Sequence, residues 1–357
     1  SNLPYVYRRL YQIFPLEDTT FFVGREEEIS SLDNALEGWK KGLFSPTIIH
    51  GEKGSGISSL INNFVNEING LDVLRFHVSS NITTEEELKI LLNKFLKTKE
   101  KKSIDELVED TNKGKKKVII IEQCHNLFLR KIGGFQALEK ILEFVTATSY
   151  NVFWLLEINS FSFQYLNKTI VIEQYFKHVI ALKSLDDNQI IDLILKRHRV
   201  SGYNINFLSN GLSIQERKKI KKLSKEERQD FLKKLFFSRL NEFSQSNISL
   251  ALLFWLRSTR KVENNTIYLE RLPKLKFDFL KTLKDEVVFT LYILVLHSSM
   301  TSTDYAMVMQ VPEDKAKRQL LVLEERGVLR LEEGQYRINH LLYRQIVTML
   351  RNRNIIH

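Results

Sequence analysis

The segment that most constrains this chain is Gly51-Glu52-Lys53-Gly54-Ser55-Gly56-Ile57-Ser58-Ser59, which follows the apolar run Thr47-Ile48-Ile49-His50 and precedes a helical pattern. A strand, a glycine-rich turn and a helix start, in that order, bring backbone N–H groups together around an anion. The spacing fits G-x-x-x-x-G-K-[ST] at every defined position but one: Ile57 stands where the lysine belongs, and Ser58 keeps the hydroxyl that meets Mg²⁺. Isoleucine offers the outer phosphates neither charge nor hydrogen bond. Lys53 in the same loop is the one cation that could partly compensate, though its placement differs from the usual one.

The surrounding pattern is that of an α/β protein. Val73–Val78, Val118–Ile121, Val152–Leu156 and His178–Leu182 read as further strands, and between them run helical patterns over Arg25–Lys41, Ser58–Ile68, Thr84–Phe95, Phe135–Thr148 and Asp187–Arg197. That alternation predicts a parallel sheet covered by helices on both faces. Val118-Ile119-Ile120-Ile121 is apolar at every position, as a strand buried on both sides should be. Beyond Asp186 the β-type runs stop and helix formers take over, which predicts a helical subdomain. Phe279–His297, Ser302–Gln310 and Glu313–Arg326 then read as helices, Gly327–Ile338 as a hairpin turning at Glu332-Glu333-Gly334, and Leu341–Arg351 as a last helix. Three helices and a hairpin are the winged-helix order. The expected organisation is an N-terminal arm (1–21), a P-loop α/β core (22–185), a helical lid (186–272) and a winged helix (273–357).

The second landmark is Glu122-Gln123 at the end of the Val118–Ile121 strand. Chemistry at this point needs a carboxylate that holds Mg²⁺ and a second that orients or deprotonates water. Glu122 could still reach a cation, but Gln123 has no carboxylate and cannot act as a general base.

With these residues in view, the chain resembles the AAA+/STAND group of P-loop ATPases, and within it origin-recognition and transposon-type regulators. Phe22-Val23-Gly24-Arg25-Glu26 is similar to the motif that opens the core and lies against adenine. Gly51–Ser59 corresponds to Walker A and Val118–Gln123 to Walker B. Val152–Asn159 looks like the sensor-one strand, with Asn159 the polar sensor and Glu157 the alternative. Ser246–Leu252 is similar to the lid segment that carries the sensor-two arginine, and Ser249 stands in its place. The resemblance implies ATP or ADP, with Mg²⁺ on Ser58 and Glu122 wherever nucleotide binds. Phe22, Val23, Gly24, Arg25, Gly51, Lys53, Gly54, Ser55, Gly56, Ile57, Ser58 and Ser59 would form the binding set. The departures fall on catalytic positions, so the expectation is a regulatory or scaffolding pseudo-ATPase. The alternatives are a winged-helix DNA-binding protein and an active ATPase using Lys53 and Glu122.

Composition bounds the partners. A single cysteine, Cys124, rules out an intrachain disulfide or thiolate metal site and suits a reducing, cytoplasmic setting. No apolar stretch reaches the length of a membrane span. The N-terminus lacks the pattern of a signal peptide, and its abrupt start is that expected of a segment within a longer protein. The formal charge of +10 suits a polyanion but is spread over the chain, so it marks no footprint by itself. In the winged helix, Lys315, Arg318 and Gln319 are the nucleic-acid candidates, opposed by acids on the same helix and at the hairpin tip. The basic tail around Arg344 and Arg351–Arg353 is a further candidate. Protein partners or self-association are expected alongside.

Overall fold

The computed structural model describes residues 3–11, 23–98, 101–273 and 277–356. A short helix, α1 (Tyr5–Leu10), precedes α2 (Glu26–Lys40). Strands and helices then follow as β1 (Thr47–Gly51), α3 (Ile57–Glu67), β2 (Asp72–His77), α4 (Glu85–Phe95) and α5 (Ile104–Lys113). They continue as β3 (Lys117–Glu122), α6 (Gln136–Thr148), β4 (Val152–Asn159), α7 (Ser160–Ile170) and β5 (His178–Ala181). The middle of the chain holds α8 (Asp187–Ser201), β6 (Asn204–Phe207), α9 (Ile214–Ile220), α10 (Lys225–Ser244), α11 (Ile248–Arg257), β7 (Thr259–Glu263) and β8 (Thr266–Leu269). The last stretch comprises α12 (Asp285–His297), α13 (Ser302–Met309), α14 (Glu313–Glu325), β9 (Leu329–Glu332), β10 (Gln335–Ile338) and α15 (Tyr343–Asn352).

The α/β expectation holds. Five strands form one parallel sheet in the order β2-β3-β4-β1-β5. Strand β4 is buried at all eight positions and β3 at all but its first, as apolar runs covered on both faces require. Because the strands are parallel, their carboxyl ends share one edge. Gly51 pairs with Asn159 there, and Glu122 ends the strand on the other side of β4. Helix α5, not anticipated from periodicity, begins in a capping box formed by Ser103 and Glu106, a signal present in the sequence as Ser-x-x-Glu.

Chain contacts divide the molecule into two compact units. The larger joins residues 27–53, 64–182 and 283–357. Its hydrophobic core runs from Ile48, Ile119, Trp154 and Leu156 of the sheet through α6 to Leu296 of α12, so the C-terminal helices share the core of the sheet. Within it, α12, α13, α14 and the β9–β10 hairpin follow the order of a winged helix, and Met300 pairs with Tyr336 to widen the hairpin. The hairpin turns at Glu333 and Gly334, both with positive φ, the requirement of a tight two-residue turn.

The smaller unit joins 1–26, 54–63 and 183–282. Here one expectation is corrected: β-structure does not stop at Asp186. Strands β6, β8 and β7 form a small mixed sheet. Its hairpin turns at Asn264-Asn265, both with positive φ, between strands too short for their alternation to stand out from the charged residues around them. Helix α1 is anchored into this unit by aromatic contacts. The Tyr7 hydroxyl accepts from Trp255 Nε1 at 2.9 Å and bonds His198 Nδ1 at 3.0 Å, while Tyr11 stacks on Trp255 and donates to the Ile194 carbonyl. All four rings are almost fully buried. Tyr7→Phe therefore strands the indole N–H and is expected to destabilise this unit by about 1–3 kcal/mol, measured by urea denaturation followed through tryptophan fluorescence. A change below a few tenths of that range would mean that the hydroxyl is not the anchor.

Candidate phosphate-loop site

The loop between β1 and α3 has the backbone that its glycines allow. Gly54 and Gly56 lie at φ +82° and +90°, a region closed to most L side chains, and α3 starts immediately after them. Ser55 Oγ is buried and has no hydrogen-bond partner among the described residues. Ser58 and Ser59 are half-buried in the first turn of α3. Exposed backbone donors at a helix start, with an orphaned hydroxyl beside them, fit a phosphate group.

The second half of this loop is held from outside. Arg25, almost fully buried, donates through Nη1 to the Lys183 carbonyl at 2.5 Å and through Nη2 to the Ser55 carbonyl at 2.9 Å. Gly24, at φ +68°, packs so closely that a Cβ would lie 2.7 Å from Gln189 Nε2. Val23 is half-buried beside it; Phe22 lies outside the described residues. On another side, a Cβ on Gly54 would fall 2.5 Å from Asn247 Oδ1. Asn247 also caps α11, and the Gly54 carbonyl accepts from Ser249 N at 3.2 Å. Ser249 thus meets the loop through its backbone.

At the strand ends, a buried carboxylate is already paired. Glu122, buried, has both oxygens engaged by the Arg75 guanidinium of β2: Nε bonds Oε1, and Nη2 bonds Oε2 at 3.0 Å. His77 Nε2 stands 3.6 Å away. This fork leaves Glu122 a poor Mg²⁺ ligand, because a cation would have to displace a bidentate guanidinium. Gln123 is exposed in the left-handed region and donates its backbone N–H to Glu157 at 2.6 Å. Burial pushes the Glu157 carboxyl up to about 7, with the neighbouring Glu122 adding to the rise.

Asn159 is fully used. Its Oδ1 caps α7 at Phe161 N, and its Nδ2 donates to the Val295 carbonyl and to Ser298 Oγ, each at 2.9 Å. An amide has only two N–H donors, so none remains for a phosphate. Ser162 Oγ adds a bond to the Leu296 carbonyl.

The first half of the loop belongs to the same joint. Glu52 pairs with Arg344, and with Arg351 at 3.0 Å, both on α15. Arg353 turns to Asp285 and the Leu283 carbonyl. The basic tail proposed for nucleic acid is therefore largely tied to protein carboxylates and carbonyls. Lys53 is half-buried near Arg337 and Glu332 of the hairpin; burial, then Arg337, lowers its pKa to about 8. Of the nucleic-acid candidates, Lys315 lies 3.8 Å from Glu286 and Gln319 donates to the same carboxylate, while Arg318 is exposed. Gln335 of the hairpin bonds the Ser79 carbonyl at 3.3 Å, and Asn81 bonds Asp304 at 3.0 Å. Among the described residues no group of three or more metal-ligating side chains comes together, and no helix is long and apolar enough to cross a membrane.

Sequence reasoning did not find Arg75 or Glu52, and it assigned Arg344 to a nucleic-acid tail, whereas the side chain pairs with Glu52. A lone arginine inside the strand Asp72–His77 was the one visible sign that a buried carboxylate waits beside it.

No family model matches the chain, and no curated protein matches it. Solved structures align over nearly all of it at low identity. The Aeropyrum pernix ORC2 protein, in ADPNP–ADP complexes, is 11% identical, with 98% of each chain covered and a TM-score of 0.44. The Walker-type ATPase PABY2304 of Pyrococcus abyssi is 15% identical over 96% of this chain and 99% of that one, with a TM-score of 0.42. Cdc6p from Pyrobaculum aerophilum is 15% identical over 95% and 99%, also at 0.42. The chain's own strand order and loop define its class: an α/β fold in which a five-stranded parallel sheet carries a glycine-rich phosphate-type loop between β1 and α3.

Buried histidines of the larger unit make stability depend on pH. His125 and His297 are buried, and burial lowers the pKa of both to about 3. Unfolded, each takes up a proton near pH 6.5; folded, neither does, so each contributes stability that falls away as pH drops below about 6.5, with a slope of about 1.4 kcal/mol per pH unit. His50 and His340, lowered to about 4 in their partly buried sites, act in the same direction. Glu157 opposes them: it holds a proton up to about 7 when folded, so its contribution is lost as pH rises from 4.5 to 7. The histidines prevail, and the melting temperature should fall between pH 6.5 and about 4.5. His297→Leu, which cannot titrate, should reduce that slope by about one proton. An unchanged slope would show that His297 is not held neutral.

Proposed function

We propose that this protein is a regulatory or scaffolding member of the AAA+ type that does not hydrolyse ATP. The observation that carries the reading is the Arg75–Glu122 fork: the carboxylate that would hold Mg²⁺ is buried and bidentately paired. Three further features point the same way. Ile57 brings no charge to the outer phosphates, Gln123 cannot accept a proton, and the Asn159 amide is engaged by α12.

ATP or ADP is proposed as a structural ligand. Backbone N–H groups of Gly54–Ser58 and the Ser55 and Ser58 hydroxyls would receive its phosphates, and Val23–Arg25 would support the loop. Bound nucleotide supplies charge and shape to this loop and stabilises the folded chain by mass action. Glu52 and Lys53, set among residues of α15 and the hairpin, support a C-terminal unit that works as part of the core, and partners are expected to be proteins or other copies of the chain.

Calorimetric titration with ATP and ADP, with and without Mg²⁺, alongside a phosphate-release assay, tests this. The expected result is binding of both nucleotides with little dependence on Mg²⁺ and no release above background. Gly56→Val, which forces a β-branched residue to φ +90°, should abolish binding. Mg²⁺-dependent release that Gly56→Val removes would sink the proposal. An absence of binding at millimolar nucleotide would reduce the core to a nucleotide-free scaffold.

A further inference from the structure

A second charged site lies in the smaller unit and uses none of the residues of the phosphate loop. A cavity of about 320 Å³ opens beside the small sheet, lined by Arg239 of α10, Arg257 at the end of α11, Arg260 of β7, and Glu270, Arg271 and Leu272 after β8. Four guanidinium groups line one cavity against a single lining carboxylate.

The local ion pairs leave this wall rich in donors. Arg260 pairs with Glu270, Arg271 with Glu216 at 3.1 Å, and Arg239 with Glu242 at 3.1 Å. Arg257 has no ion-pair partner among the described residues. Each guanidinium carries five N–H donors, and a carboxylate engages at most two of them in a fork. Arg271 shows the shortfall directly: its Nε is buried with no acceptor. A buried donor without an acceptor is unfavourable, and a tetrahedral oxyanion at the mouth supplies several acceptors at once. The carboxylates do more than neutralise. Glu216 and Glu270 fix Arg271 and Arg260 in place, so an incoming anion meets preset forks.

We propose that this cavity binds a compact phosphate-bearing anion, a phosphorylated small molecule or a diphosphate. Its shape favours that class over a nucleic-acid strand. The charge lies inside a recess, whereas a phosphate backbone needs an extended row of unopposed cations, and here Glu270 faces the same opening. Arg257 and Arg260, exposed at the rim, receive the ligand first; Arg271 and Arg239 lie deeper.

The test uses the full chain carrying Gly56→Val, so that the phosphate loop is closed, and titrates it with sodium pyrophosphate by calorimetry at low salt. Saturable binding should persist in this background. Arg257→Ala should weaken it by about tenfold, the effect of losing one charge-assisted contact. Far-UV circular dichroism checks the fold, and Arg257→Gln serves as the second variant, keeping the bulk without the charge. No binding in the Gly56→Val chain while the parent chain binds would overturn the proposal and assign pyrophosphate to the phosphate loop. Binding insensitive to both Arg257 variants would overturn it too. An oligonucleotide that displaces pyrophosphate at far lower concentration, with a steep dependence on salt, would make the cavity part of a nucleic-acid surface instead.

Discussion

The amide of Asn159 is the point on which the larger unit turns. It stands at the carboxyl end of β4, pairs in register with the first glycine of the loop, starts α7 and holds the last turn of α12. Three hydrogen bonds meet in one buried side chain, and each contributes on the order of 1 kcal/mol when made but leaves a buried polar group stranded if broken. Around it, Ser162 meets the Leu296 carbonyl, Leu296 enters the sheet's hydrophobic core, and Glu52 receives the arginines of α15. The C-terminal helices are consequently a built-in part of the α/β core. Asn159 is thus a structural joint between the sheet and α12.

A second buried polar group, Glu122, is likewise fully paired. A buried carboxylate is unfavourable unless paired, and Arg75 from the adjacent strand satisfies both oxygens. Such a pair adds little net stability over an apolar one, but breaking it by removing one partner leaves a costly unpaired charge. Once Arg75 occupies β2, Glu122 is held to a structural role. The neutral Gln123 next to it gives its backbone N–H to Glu157.

The smaller unit carries the second half of the loop and a group of arginines. The glycines of the loop, the orphaned Ser55 hydroxyl and the Arg25 clamp are intact, and a separate arginine-lined cavity stands beside the small sheet.

Much of this architecture was written locally. The β-branched run at Val118–Ile121, the glycines at 54 and 56, the capping boxes at Thr84 and Asp186 and the Glu333-Gly334 turn each act over a few residues, so periodicity, propensity and turn chemistry were enough to predict the parallel sheet, the loop and the C-terminal helices with their hairpin. The small sheet escaped notice because its strands are short and one of them, β6, pairs with a strand that follows it only after three helices. The fate of the site residues lay beyond local reading altogether. Sequence established that Ile57, Gln123 and Ser249 depart from the pattern. Only the tertiary structure decided that Glu122 meets Arg75 from 47 residues away, that Asn159 meets Ser298 from 139, and that Glu52 meets Arg344 from 292. An ion pair or a shared amide depends on which side chains the strand register and helix docking bring within a few ångströms, and that proximity exists only once the chain has folded.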